Sequence, residues 1–231
     1  MKYKAIFFDR DGTLVRGDPQ WITYRNRCLE AWSGKPFDTS YDYFMDVFHR
    51  VEEGNFSFTP YRTLEDELDF FRQWFLYVFQ DMGITEKTAE RADMLMEKLW
   101  YLKKHPYPET VDVLEYFRGK GYKMGVISDC PPSLEITLEA CGLHDYFTSF
   151  TASSLVGAMK PDPVIFNAAL EAQGITAEES IYVDDYPPEA DGARALGFTS
   201  FLIDRNESQP DSEWTIRNLR ELVNFVERRG R

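Results

Sequence analysis

Residues 5–15 read AIFFDRDGTLV. From Tyr3 to Phe8 the chain is almost continuously apolar, which suits a short strand buried on both faces of a parallel sheet. The run ends in a carboxylate, Asp9, and a second carboxylate, Asp11, follows two residues later. Gly12 permits a sharp turn, and the Thr13 hydroxyl is placed to tie that turn down. Two acids at the mouth of a buried strand need a reason.

Beyond residue 105 the chain alternates helix and strand. PETVDVLEYFRGKG reads as a helix ending at Gly121, and YKMGVIS as a strand. PPSLEITLEACG reads as a helix with Pro131 and Pro132 at its start. DPVIFNAALEAQG is another, with Asp162 as cap and Pro163 at the first position. SIYVDD is a strand, PEADGARALG a helix, TSFLID a strand and EWTIRNLRELVNFVERR a closing helix. Repeated strand–helix pairs imply an open, doubly wound parallel sheet, an α/β fold with helices on both faces.

Between residues 16 and 104 the period is helical throughout. Asp18 caps a helix with Pro19 at its first position and Gly34 just past its end. A second helix places Tyr41, Phe44, Met45, Phe48 and Val51 on one face and stops at Gly54. A third is capped by Thr63 and Asp66 and ends at Gly83. A fourth carries Ala92, Leu95, Met96, Leu99 and Leu102 at helical spacing. The expected organisation is an α/β core of residues 1–15 and 105–231, with a helical insertion, 16–104, after the first strand.

Composition narrows the function classes. A formal net charge of -13 repels phosphate backbones and anionic membranes, so no nucleic-acid or membrane partner is expected. An anionic substrate would need a local cation at its site. Three cysteines, Cys28, Cys130 and Cys141, make neither a disulfide framework nor a zinc site. With no signal-peptide pattern and no apolar stretch long enough to cross a bilayer, the chain reads as a reduced, cytoplasmic protein. Nothing in the sequence fixes an oligomeric state.

In an open parallel sheet, sites form beyond the carboxyl ends of the strands. Asp9 and Asp11 follow the first strand, Ser128 ends GVIS, Lys160 lies in GAMKPDP just before a helix, and Asp184 and Asp185 follow IYV. Clustered carboxylates repel one another, and hard oxygen ligands without histidine favour Mg²⁺. One carboxylate could attack phosphorus, and its neighbour could protonate the leaving oxygen and later activate water. Ser128 and Lys160 could bind the phosphoryl oxygens.

These segments carry a resemblance. FFDRDGTLV resembles the first motif of the haloacid dehalogenase-like (HAD) hydrolases, GVISD the second, KPDPVIF the third and YVDDYPPEADGARALGF the fourth, in the family's order. The resemblance implies that Asp9 is the nucleophile and a Mg²⁺ ligand. It makes Asp11 the general acid/base, binding the metal through its backbone carbonyl. Ser128 and Lys160 would hold the phosphoryl group, Asp185 would be a direct metal ligand, and Asp184 a second one or a ligand through water. The helical insertion resembles the family's C1 cap, which sets specificity. Two positions depart from the pattern: Asp129 and Glu189 stand where asparagine is common.

The expected activity is Mg²⁺-dependent hydrolysis of a small phosphorylated metabolite through an aspartyl-phosphate. Alternatives on the same scaffold are a phosphomutase, a haloacid dehalogenase (which by the resemblance lacks the acid at Asp11), and a non-catalytic phosphate-binding regulatory protein. The insertion's aromatics, Trp21, Trp32, Phe44, Phe48, Phe71, Trp74 and Phe75, read as bundle core rather than a substrate pocket, and Arg16 and Arg25 as surface or packing. His49, His105 and His144 have no partner spacing. Cys130, close to Ser128, has no evident base to make it a nucleophile.

Overall fold

The computed structural model describes residues 2–55, 62–97 and 104–229. The chain divides into two compact units, residues 1–16 with 104–231, and residues 17–103.

The first unit is built on β1 (Ala5–Phe8), followed by the short β2 (Val15–Gly17). The insertion contributes α1 (Pro19–Ser33), α2 (Tyr41–Asn55), α3 (Leu64–Met82) and α4 (Thr88–Glu97). The chain then runs through β3 (Lys104–Pro106), α5 (Thr110–Gly119), β4 (Lys123–Ser128), α6 (Leu134–Ala140), β5 (Ser149–Ala152), the single turn α7 (Ser153–Val156) and α8 (Pro163–Gln173). It closes with β6 (Ser180–Asp184), α9 (Pro187–Ala195), β7 (Thr199–Ile203), β8 (Thr215–Ile216) and α10 (Leu219–Arg229).

Among the described residues the main sheet has six strands in the order β5-β4-β1-β6-β7-β8, all parallel. β2 and β3 pair separately. All four residues of β1 are fully buried, because the strand is central and covered on both sides. Its period of two divides them: Ile6 and Phe8 face a layer with Leu114 and Phe117 of α5, Leu134 of α6 and Leu222 of α10. Ala5 and Phe7 face Ile165 and Phe166 of α8 and Ala193 of α9. Each such phenylalanine contributes about 1.5–3 kcal/mol through burial. The fold is the doubly wound α/β architecture expected from the strand–helix alternation, with helices inserted between β1 and β4.

The α/β unit differs from the sequence reading in several details. β5 was not anticipated: SFTA is an edge strand with a single large apolar residue, Phe150, and lacks the apolar run that marked the central strands. The closing segment is not helical from its start; Thr215 and Ile216 pair with Leu202 and Ile203 of β7, and the helix begins at Leu219. The helix expected from Pro131 begins at Leu134, with Ser133 before it.

The second unit is a helical bundle. Asp18 caps α1 by accepting from Gln20 N at 2.8 Å, and Gly34 ends it with φ 70. Thr63 and Asp66 form a reciprocal capping box on α3, and Gly83 ends it. Phe70, Trp74, Phe75, Val78 and Phe79 of α3 form the core with Trp21, Leu29, Ala92, Leu95 and Met96. In α2 the buried face is Val47 and Val51, with Tyr43 and Phe48 packed against it. It is rotated from the expected stripe: Val47 is fully buried, whereas Phe44 is 39% exposed, its ring tilted against Trp74 with centroids 5.5 Å apart. α2 also runs through Gly54 to Asn55. Leu99 and Leu102 lie outside the described residues, as does the side chain of Tyr41.

Candidate active site

Strand register assembles the site. Phe8 pairs with Val183 on one side and Val126 on the other, so the residues that follow all three strands emerge together. Asp9 N donates to Val183 O at 2.8 Å, which seats Asp9 beside Asp184. Oxygen atoms of Asp9, Asp184 and Asp185 lie within 4.8 Å of one another.

Lys160 sits among these acids. Its Nζ donates to Asp9 Oδ1 at 2.8 Å and to Asp184 Oδ2 at 2.9 Å, and lies 2.6 Å from Glu189 Oε2. The ammonium is almost wholly buried. Asp184 is further held by the Tyr182 hydroxyl, which donates to Oδ2, and by Tyr186 N, which donates to Oδ1 at 2.9 Å. One ammonium cannot keep three buried carboxylates charged. Burial, opposed by Lys160 and reinforced by Asp184, pushes Asp9 up to about 8, and the same balance pushes Glu189 up to about 8. Lys160 itself stays charged: burial works against the ammonium, but Asp9 and its other neighbours raise it well above the usual lysine range.

Asp185 is exposed as a residue, yet its carboxylate lies against the Gly12 backbone. A Cβ on Gly12 would stand 2.0 Å from Asp185 Oδ2, and Gly12 has φ 76, so the position admits only glycine on both counts. Desolvation, with the charge of Asp184, raises Asp185 to about 6.

Asp11 lives in the opposite field. Arg10 Nε and an Arg10 NH2 donate to its Oδ2 at 3.0 and 2.8 Å, and Lys104 Nζ contacts its Oδ1. Burial would raise the Asp11 carboxyl, but these two cations hold it well below the usual carboxylate range. The buried Arg10 is pinned at its far end by the Thr137 hydroxyl, 3.0 Å away.

Ser128, at the end of β4, is buried with its hydroxyl in hydrogen-bond contact with the Cys130 thiol. Burial raises that thiol, which argues against a reactive thiolate. The two departures meet each other. Asp129 Oδ1 accepts from Lys160 N at 3.0 Å, and its carboxyl, raised by burial, also hydrogen-bonds Glu189.

The sequence reading missed Lys104, Tyr182, Glu109 and Arg205. Arg205 had a positional signal, since it follows β7 at the sheet end where Asp9 lies, whereas Lys104 opens β3 of the separate two-stranded pair. The tie expected from Thr13 is not made: its Oγ1 is buried without a partner. Trp21, Trp74 and Phe75 pack in the bundle core, Arg16 is exposed, and Arg25 bonds Asn26 and stacks on Phe37. His144 stacks on Phe150 and pairs with Asp145 and Glu135. The three cysteines are free thiols, and no described helix is long and apolar enough to cross a membrane.

The donor set fits a divalent cation: three hard carboxylate oxygens converge, histidine is absent from the set, and burial together with the Asp184 charge raises two of the acids.

Known proteins share this framework. The family model for haloacid dehalogenase-like hydrolases matches residues 3–197. Phosphatase MT3486 of Mycobacterium tuberculosis (strain CDC 1551 / Oshkosh) is 31% identical over 235 residues, covering 100% of both chains. The (S)-2-haloacid dehalogenase of Pseudomonas sp. (strain YL) is 28% identical, covering 97% of this chain and 94% of that one. The crystal structure of a HAD phosphatase from Thermococcus onnurineus superimposes with a TM-score of 0.65 at 25% identity, covering 96% of this chain and 97% of that one. With its four motifs at the strand ends of a doubly wound sheet, the chain belongs to the haloacid dehalogenase-like hydrolases.

Proposed function

We propose that this hydrolase is a Mg²⁺-dependent phosphatase of small phosphomonoesters, working through a phosphoryl group carried on Asp9. The observation that carries the reading is the second acid, Asp11, beside a carboxylate trio suited to a hard cation. By the family resemblance a dehalogenase lacks that acid. The full-length likeness to a named phosphatase supports the same side. The helical unit, residues 17–103, would serve as the cap that sets substrate choice.

Asp9, Asp184 and Asp185 would hold the metal ion. When bound, it would supply positive charge against which a phosphate dianion can approach four acids. Lys160 binds Asp9 Oδ1, which orients Oδ2 as the attacking oxygen. That oxygen forms a bond to phosphorus as the ester P–O bond breaks, and Asp11 gives its proton to the departing alkoxide. Asp11 is then the base: it takes a proton from water as the water oxygen attacks phosphorus, and the P–O bond to Asp9 breaks. The products are an alcohol and inorganic phosphate. The Ser128 hydroxyl and the Lys160 ammonium bind the transferring oxygens. Since Arg10 and Lys104 keep Asp11 ionised, the resting site is set for the second step. The first needs the Lys104 contact loosened, so that burial can raise the carboxyl.

The test is a panel of phosphomonoesters and 2-haloalkanoates with Mg²⁺, reading phosphate and halide separately. Phosphate release abolished by a chelator and restored by Mg²⁺ is expected. Halide release that persists in chelator would overturn the proposal.

A further inference from the structure

The loop after Asp9 is held by a residue outside every motif. Its internal bonds run from Gly12 N to Val15 O at 2.9 Å and from Leu14 N and Val15 N to Arg10 O at 2.9 and 3.0 Å. That pattern spends the Arg10 and Val15 carbonyls and leaves those of Gly12 and Thr13 to find donors elsewhere. The Thr13 hydroxyl does not help to secure the loop.

Arg205 supplies the donors. It lies just beyond β7, and its Nε donates to Gly12 O at 3.0 Å while one terminal nitrogen donates to Thr13 O at 2.7 Å. Its other terminal nitrogen bonds Glu109 Oε1 at 2.7 Å, and the guanidinium lies 3.5 Å from the centre of the Tyr107 ring. Glu109 is buried and also accepts from Leu219 N at 3.4 Å, so the acid that steers Arg205 is itself fixed to the start of α10. A planar fork is required: one face stacks on the ring while three edges meet two carbonyls and a carboxylate, which a single ammonium cannot do.

The grip falls where the site is tightest. The Gly12 Cα abuts the Asp185 carboxylate, and Asp11 is the preceding residue. Movement of the loop therefore changes the gap to Asp185 and the direction of Asp11 together. We propose that Arg205 is a positioning residue of the active site, clamping the Gly12–Thr13 carbonyls so that Asp9, Asp11 and Asp185 keep their spacing. The kinetic consequence rests on the phosphatase reading above; the clamp itself does not.

The experiment compares the full-length protein with Arg205→Ala and Arg205→Lys. With p-nitrophenyl phosphate and Mg²⁺, Arg205→Ala should lose about 10–100-fold in kcat with KM within about twofold, the scale of a misplaced reacting group. Millimolar guanidinium should restore part of that kcat in Arg205→Ala and leave the wild type unchanged. Arg205→Lys should melt like the wild type yet stay slow, which keeps the test open if the alanine variant does not fold. Hydrogen exchange read over residues 10–15 should be at least about tenfold faster in either variant, with β4 and β6 unchanged, and guanidinium should slow it again in the alanine variant. If the wild type releases no phosphate from any ester, the phosphatase reading fails and the exchange measurement alone decides the clamp. Wild-type kcat in both variants, or unchanged exchange over residues 10–15, would overturn the proposal.

Discussion

Asp9 and Asp11 are two residues apart on one loop, and the molecule treats them oppositely. Around Asp9, a single ammonium serves Asp9, Asp184 and Glu189, and Asp9 and Glu189 are pushed up by burial that this one cation does not offset. Around Asp11, two cations serve one acid, and it is pushed down. The difference shows that distance along the chain says little about a carboxylate's task; burial raises both, and the cations in each one's contact shell decide whether that rise is overcome. A cation-poor cluster is built to receive more positive charge. A cation-rich carboxylate is built to take a proton only when one of its partners lets go.

The largest test of that contrast converts each carboxylate to an amide in turn. Asp9→Asn loses the attacking atom, and turnover should fall by at least about three orders of magnitude. Asp11→Asn keeps the attack but loses the acid and base. With p-nitrophenyl phosphate, whose leaving group needs little protonation, the first step should proceed and the second should stall. Acid-quenched Asp11→Asn should therefore carry phosphate on Asp9, and acid-quenched Asp9→Asn none. Phosphate on the Asp9→Asn protein would remove Asp9 as nucleophile.

A smaller effect is expected in the stability of the metal-free protein. In the unfolded chain these acids titrate near about 4. In the folded, metal-free protein Asp185 is raised to about 6, and Asp9 and Glu189 to about 8. Between those limits the folded state binds more protons than the unfolded state, so stability must fall as pH rises and level off above about 8. Asp11, which is lowered, acts in the opposite sense but only below about pH 4. The melting temperature in chelator should drop steadily from pH 5 to pH 8, and Mg²⁺ should raise it most at the alkaline end. Lys160→Met should steepen the fall, with a loss of about 3–5 kcal/mol at pH 8 as the acids lose their partner. A flat or rising profile in chelator would show that the cluster is not short of positive charge.

Much of this was legible in the residues, and the limits have physical causes. Central strands announced themselves because burial on both faces demands continuous apolar runs, as in YKAIFF and GVIS. SFTA did not, since an edge strand is under no such demand. Helix ends at Asp18, Thr63, Asp162 and Gly34 were readable because capping is local. The buried face of α2 was not, because Val47 is fully buried while Phe44 stays 39% exposed, a choice made by the neighbouring helices. Asp9, Ser128, Asp184 and Asp185 stood out by their place at strand ends, and Lys160 by its place just before a helix. Their partners did not. Lys104 meets Asp11 across 93 positions and Arg205 meets Gly12 across 193, and no local pattern marks a pairing over such separations.

The smallest effect isolates the Asp11 half of the contrast. Lys104 and Arg10 both hold Asp11 ionised, and Lys104 is the accessible one, with about a quarter of its side chain exposed against 7% for Arg10. Lys104→Met removes one cation while leaving the buried Arg10 pair in place. The Asp11 carboxyl should then rise, since burial is opposed by one partner rather than two. Above its titration point, the fraction of Asp11 that carries a proton grows with that rise at any given pH. An alkyl phosphate, whose leaving group needs the proton, should show the descending limb of its rate profile moved to higher pH. p-Nitrophenyl phosphate, whose leaving group does not need it, should show that limb nearly unmoved. Lys104→Arg keeps the charge and should keep the wild-type profile with both substrates. If Lys104→Met and the wild type superimpose with the alkyl ester, Lys104 does not hold Asp11 in the working enzyme. A shift equal with both esters would mean that the titrating group lies in the Asp9 cluster, where leaving-group basicity does not enter.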